Sequence, residues 1–91
     1  MYAVIFRAKI NELDDEYLEM ACHMRELAKT DYGCVEFVAV SEGDEEIAIS
    51  YWNTLEQIDA WKQDPQHRVA QELGRSKWYK SFQVQLTEIV R

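Results

Sequence analysis

Hydrophobic positions at the start of the chain recur every second residue. From Tyr2 to Ile10, one alternate set is wholly apolar, while the other mixes apolar and basic side chains. This period of two predicts a strand. Asp14 follows as the predicted N-cap of a helix, with Leu13 and Leu18 spaced to form a hydrophobic staple. The inward stripe of this amphipathic helix comprises Tyr17, Met20, Ala21, Met24, Leu27 and Ala28.

A hairpin is predicted after this helix. Residues 31–33 end the helix, and residues 34–41 form a second strand that leads into the polar turn of residues 42–44. Residues 46–52 form the third strand, in which Ile47, Ile49 and Tyr51 share one face and Ala48, Ser50 and Trp52 share the other. Because the connection is so short, these two strands are antiparallel.

The remainder predicts two helical segments and a final strand. Asn53 or Thr54 caps the first segment, since each has Glu or Gln three residues later. Asp64 and Pro65 begin the second segment, which continues toward Trp78. Residues 82–90 alternate again as the last strand.

The order strand, helix, strand, strand, helix pair, strand is that of an α+β fold of the ferredoxin-like type, with an antiparallel sheet. The 91 residues are enough for a single domain, residues 1–91, with one modest core. The first strand carries apolar residues on both faces, including Ala3 and Ile5, and Ile89 belongs to the last strand. A sheet that is apolar on both faces needs a second cover, so we expect a homodimer.

Composition narrows the range of partners. The net charge of −7 and the scattered basic residues disfavour nucleic acid and anionic membranes. No apolar run approaches the length that spans a bilayer. Cys22 and Cys34 have neither disulfide nor metal-ligand spacing, and no signal peptide precedes them, so we expect a cytoplasmic protein with free thiols.

Candidate chemistry is concentrated in the second half of the chain. In the last helical segment, His67, Gln71, Gly74 and Trp78 form one stripe beside a more apolar stripe that contains Val69, Ala70 and Leu73. A stripe that mixes an imidazole, an amide and a large ring suits the wall of a ligand cavity. The structural alternative is that His67 contacts solvent, and that Trp61 and Trp78 belong to the core or to the dimer.

Other catalytic constellations are absent from the sequence. There is no glycine-rich phosphate loop and no G-x-S-x-G motif. With only His23 and His67, and no H-x-H or H-E-x-x-H motif, we expect no metal site.

Several motifs of the second half resemble the antibiotic biosynthesis monooxygenase (ABM) domain family, in particular its small stand-alone bacterial members. They are Ile49-Ser50-Tyr51-Trp52, Leu55-Glu56, Ala60-Trp61-Lys62, His67, Ala70-Gln71, Gly74-Arg75 and Trp78-Tyr79. The resemblance covers nearly the whole chain. It implies a dimeric α+β barrel in which two ferredoxin-like units pack sheet to sheet, each with a pocket between its sheet and its helices.

The resemblance implies two kinds of oxygen chemistry. Haem-degrading members use an Asn on the first strand, a helical Trp and a His ten residues later. Here Phe6, Trp61 and Gln71 stand at those positions, so haem degradation is disfavoured and no cofactor is expected. Cofactor-free members oxidise phenols and quinols. For that reaction, the resemblance implies His67 as base and Gln71 as orienting residue, in a pocket walled by Phe6, Tyr51, Trp52, Trp61 and Trp78.

Two functions therefore remain open at this point. One is a cofactor-independent monooxygenase that acts on a small aromatic or quinol-type substrate. The alternative is a non-catalytic dimer that binds an apolar metabolite or lends its fold to a larger assembly. An enzyme of another class, such as an isomerase, is also compatible with the fold.

Overall fold

Four antiparallel strands form one sheet, and three helices cover one of its faces. A computed structural model describes residues 1–90, with strands β1 (Tyr2–Ile10), β2 (Glu36–Glu42), β3 (Glu45–Trp52) and β4 (Tyr79–Glu88), and helices α1 (Asp15–Asp31), α2 (Leu55–Gln63) and α3 (Pro65–Leu73). The sheet order is β2-β3-β1-β4. This order, together with the βαββαβ sequence of elements, is ferredoxin-like, as the pattern predicted.

Two strands begin two or three residues away from their predicted first residues, and β4 ends at Glu88, so that Ile89 lies outside the strand. β2 begins at Glu36 rather than at residue 34, because the N–H of Cys34 still bonds to the carbonyl of Ala28 at the end of α1. β4 begins at Tyr79 rather than at residue 82, directly after a π-helical turn over Gly74–Trp78. Periodicity did not reveal this turn, since a π-helical turn is one residue wider than the α-helical spacing.

The helix N-termini follow the capping signals in the sequence. Asp14 accepts the N–H of Tyr17 at 2.9 Å. Of the two candidates for the next cap, Thr54 is the N-cap, and Gln57 completes a capping box with it. The predicted staple is weaker than expected, because the side chains of Leu13 and Leu18 are 38% and 64% exposed.

The core lies between one end of the sheet and the helices. Trp52, at the end of β3, is fully buried, and its indole N–H donates to the hydroxyl of Ser50 at 2.9 Å. The surrounding buried cluster consists of Met24, Ala28, Cys34, Ile58 and Trp61. Cys22, by contrast, is exposed on the outer side of α1, as its position off the apolar stripe predicted.

The second face of the sheet carries no helix. Ile5 on β1 pairs with Ile49 on β3, which pairs in turn with Val38 on β2. The next row brings Ile47 beside Val40. We call these five residues the open face; in the single chain, the side chains of Val38 and Val40 are 43% and 61% exposed.

No helix within residues 1–90 has both the length and the apolar character needed to cross a membrane.

Candidate active site

A cavity of about 380 Å³ lies between the helix-facing side of the sheet and the three helices. This volume falls in the lower part of the range of roughly 300–1,000 Å³ seen for small-molecule sites. Its lining is mainly apolar, with polar groups at a few positions. The apolar lining includes Val4, Phe6, Met20, Met24, Ala48, Ile58, Ala70, Val84 and Leu86.

Helix α3 turns its mixed stripe toward this cavity. His67, Gln71 and Trp78 line the cavity, and Gly74 is buried beside Tyr79. The expectation that the neighbouring stripe forms the core is wrong for Val69, whose side chain is 52% exposed.

That N-cap is Asp64, a buried carboxylate with partners on both oxygens. Its Oδ1 accepts the backbone N–H groups of Gln66 and His67, at 2.8 and 3.2 Å. Its Oδ2 accepts the hydroxyl of Tyr32 at 2.5 Å. The Tyr32 hydrogen bond is the main reason that the pKa of Asp64 lies below its usual value. The first turn of α3, which carries His67, is thereby tied to the end of α1.

The imidazole of His67 packs against the indole of Trp61, with ring centroids 4.5 Å apart and planes inclined at 51°. Its Nδ1 is buried and has no hydrogen-bond partner within residues 1–90. Burial lowers the pKa of His67 below its ordinary 6.5, and the nearby Asp64 offsets part of this effect. The ring is therefore neutral at pH 7, and its unpartnered nitrogen can accept a proton or a hydrogen bond.

A second polar group, which the sequence analysis did not single out, lines the cavity near the start of β3. Glu46 is 8% exposed and accepts hydrogen bonds from the hydroxyls of Tyr17 and Tyr79, the latter at 2.8 Å. Burial raises the pKa of Tyr17 to about 12, and it also raises the pKa of Tyr79. Both phenols therefore stay protonated at neutral pH. The available signal was the glutamate within the inward-facing set of β3.

Trp78 lies in the cavity wall beside this group. Its ring meets that of Tyr17 edge to face, with centroids 5.2 Å apart, and its indole N–H donates to Asp14 at 3.3 Å. The π-helical turn ends at Trp78, whose carbonyl accepts the N–H groups of Asn11 and Glu12. The turn and the β1–α1 connection thus hold this indole from both sides.

Five of the seven predicted site residues line the cavity: Phe6, Trp61, His67, Gln71 and Trp78. The other two, Tyr51 and Trp52, do not line it. Tyr51 lies two residues after Ile49 on β3 and pairs with Ala3 on β1. Because residues two apart on a strand share a face, the side chain of Tyr51 lies on the open face, away from the helices. Trp52 lies on the helix-facing side but is fully buried in the core, 6.2 Å from Trp61 between ring centroids.

Residues 1–90 contain no group of three His, Cys, Asp or Glu side chains that could hold a metal ion.

The fold and the cavity together define a ferredoxin-like α+β domain with a small-molecule-sized pocket between sheet and helices. A family model described as antibiotic biosynthesis monooxygenase matches residues 1–73. The chain belongs to this ABM family, as its second-half motifs indicated.

Comparison with individual proteins agrees with this assignment. YqjZ of Bacillus subtilis (strain 168) is 37% identical over 91 residues, which cover 99% of this chain and 80% of that protein. A variant of SnoaB, a cofactor-independent oxygenase from Streptomyces nogalater, superposes with a TM-score of 0.82 at 12% identity, covering 99% of this chain and 93% of that one. Rv0793 from Mycobacterium tuberculosis superposes with a TM-score of 0.83 at 14% identity, covering 99% of this chain and 95% of that one. At such identities the two structures show a shared fold.

Proposed function

We propose that this protein is a cofactor-independent monooxygenase that oxidises a small phenol or quinol in the cavity. The observation that carries the proposal is the partly buried imidazole of His67 in the wall of an otherwise mainly apolar cavity. A neutral imidazole in such surroundings suits a general base. Family membership supports oxygen chemistry as the reaction class.

The first step of this reaction is proton transfer to His67. The imidazole accepts the proton of the substrate hydroxyl, and the resulting anion delocalises its charge onto ring carbons. The amide of Gln71, one turn further along α3, hydrogen-bonds the substrate oxygen and keeps it facing the imidazole. Apolar walls exclude water, which strengthens these interactions and protects the anion from reprotonation.

Molecular oxygen is the oxidant, and the substrate supplies all the electrons. The anion passes one electron to O₂, and the two radicals combine into a peroxide at a ring carbon that bears hydrogen. His67 returns its proton to the peroxide. Loss of water then breaks the O–O bond and removes that carbon's hydrogen, leaving a carbonyl. One oxygen atom enters the quinone product and the other leaves as water, so that a phenol plus O₂ gives a quinone plus water.

Oxygen uptake by a panel of phenols and quinols tests this function. We expect uptake above the buffer rate for at least one compound, with one atom of ¹⁸O from labelled O₂ in the product. His67→Ala should lower the rate by about a hundredfold or more, as loss of a general base does. His23→Ala, which removes the exposed histidine on α1, is the matched control. No uptake with any compound, or equal rates for the His67 variant and the wild type, would refute the proposal.

Ligand binding without turnover would instead support the non-catalytic alternative, a dimeric protein that binds an apolar metabolite. Haem degradation is not favoured as a second candidate. Gln71 stands where haem-degrading relatives carry histidine, and Phe6 stands where they carry asparagine. An amide cannot provide the imidazole ligand that this branch requires.

We also propose that the protein functions as a homodimer. The open face carries adjacent apolar residues on three strands, and on the other face Val84 and Leu86 of β4 are 49% and 54% exposed. Neighbouring apolar side chains of this kind favour association with a second surface. A second copy is the cover that a short chain with two apolar sheet faces most simply provides.

A further inference from the structure

Two polar groups of the cavity, at His67 and at Glu46, lie near its opposite ends. His67 stacks on Trp61, which packs on Trp52 at the end of β3. Glu46 lies six residues earlier on that strand, near its opposite end. Along the helix, His67 is seven residues from Gly74, a rise of roughly 10 Å, and Gly74 lies beside Tyr79. Tyr79, a partner of Glu46, pairs with Ile10 at the end of β1 remote from Trp52. Apolar side chains such as Phe6 and Ala48 line the cavity between the two groups.

The two ends differ in what they offer to a ligand. At the Glu46 end, both tyrosine hydroxyl protons are already donated to the carboxylate. A carboxylate has about four lone-pair sites, so two acceptor positions remain on Glu46. The tyrosine oxygens likewise have only lone pairs to offer. This end of the cavity therefore accepts hydrogen bonds and has no hydroxyl proton left to donate.

The surroundings make that acceptor selective. Glu46 is almost wholly removed from water, so a ligand group that lacks a donor would bury its remaining lone pairs without compensation. The raised pKa values of Tyr17 and Tyr79 keep their protons on the phenols throughout the neutral range. A hydroxyl donating to a carboxylate is also among the stronger hydrogen bonds available.

We propose that Glu46 is a specificity-determining residue that accepts a hydrogen bond from a second hydroxyl of the substrate, remote from the one that His67 deprotonates. The substrate class is then an aromatic compound with an apolar body and hydroxyl groups at opposite ends. This inference rests on the proposed function only for the end of the substrate that reacts at His67. The recognition by Glu46 is a binding property and is measurable without oxygen.

Anaerobic fluorescence titration with three naphthols tests the inference. The probes are 2,6-dihydroxynaphthalene, 6-methoxy-2-naphthol and 2-naphthol, and tryptophan emission reports binding because Trp61 and Trp78 line the cavity. The methoxy compound retains the shape of the diol and its distal oxygen but has no distal donor. We expect the diol to bind about tenfold more tightly than the methoxy compound, the gain usual for one charge-assisted hydrogen bond.

Glu46→Gln should reduce this preference to less than about threefold, because a neutral amide accepts more weakly and its N–H can bond to the methoxy oxygen. Glu45→Gln is the matched control, since that neighbouring glutamate is exposed and paired with Lys9 at 2.9 Å. It should retain the wild-type preference. Should Glu46→Gln fail to fold, the wild-type comparison of diol and methoxy compound decides alone.

The possible outcomes separate this inference from the proposed function. Preference for the diol without any oxygen uptake would support the role of Glu46 and refute the monooxygenase. Oxygen uptake with equal affinity for diol and methoxy compound would support the enzyme and overturn the role of Glu46. Failure of all three naphthols to bind would also overturn the inference, since they are small enough for a cavity of about 380 Å³.

Discussion

The hydroxyl of Tyr32, which follows α1, donates a hydrogen bond of 2.5 Å to Asp64, the N-cap of α3. Asp64 thereby links two helices and fixes the turn that carries His67. Removing the carboxylate in Asp64→Ala should lower the free energy of unfolding by about 0.5–2 kcal/mol, the usual cost of a lost cap. Asp64→Asn should lose less, because asparagine also caps. Urea unfolding measures both, and equal losses would contradict the capping role.

The carboxylate of Asp64 also predicts how the free energy of unfolding depends on pH. The Tyr32 hydrogen bond lowers the pKa of Asp64 below 3.8 in the folded chain. The ionised Asp64 therefore contributes its full stabilisation above pH 3.8, and this stabilisation is lost as the pH falls through the lower pKa of the folded state. The stability advantage of wild type over Asp64→Asn should therefore shrink below about pH 4. Urea unfolding of both proteins at a series of pH values tests this. A constant difference across the series would refute the prediction.

His67 predicts a second change in the free energy of unfolding, at a higher pH than that of Asp64. Because burial lowers its pKa in the folded state, the unfolded chain binds the proton first as pH falls below about 6.5. Stability should therefore decline from that pH down to the folded pKa. His67→Gln should abolish this decline, whereas His23→Gln should leave it in place. NMR titration of the imidazole gives the direct check, and a midpoint for His67 above 6.5 would contradict the burial argument.

Two glycines with positive φ offer a matched pair. Gly33 has φ of 80°, and a Cβ there would lie 2.5 Å from Nε2 of Gln57, the capping-box residue of α2. Gly43 has φ of 60° and open space around it. Gly43→Ala should cost about 1–2 kcal/mol from backbone strain alone. Gly33→Ala should cost more, because Gln57 must also move. Thermal or urea unfolding compares the two, and equal losses would show that the contact with Gln57 is unimportant.

The proposed dimer predicts a light-scattering mass of twice the 10.8 kDa of one chain. Ile49→Glu places a charge in the middle of the open face and should shift the protein toward monomer, because burying an unpaired charge costs several kcal/mol. Val69→Glu, on the exposed side of α3, should leave the mass unchanged. A wild-type mass near that of one chain would refute the dimer.

The sequence by itself determined the order and type of the elements. The period-two run of β1, the caps at Asp14 and Asp64, and the hairpin turn are local signals, and each arises from interactions within a few residues. The second-half motifs were sufficient to indicate the ABM family, which the family model then matched over residues 1–73.

Only the tertiary structure decided which side chains share the cavity. The alternation of β3 places Tyr51 on the face opposite Trp52, but it does not say which face the helices cover. The contact between Tyr32 and Asp64 joins residues that are 32 positions apart in the chain, and the fold places His67 in the cavity wall and Val69 on the exposed side of α3. Tyr17, Glu46 and Tyr79 come from three separate elements, and only the packing of α1 and the sheet brings them together. Local patterns cannot encode such meetings, because they depend on how helices lie across the sheet and not on the spacing of residues along the chain.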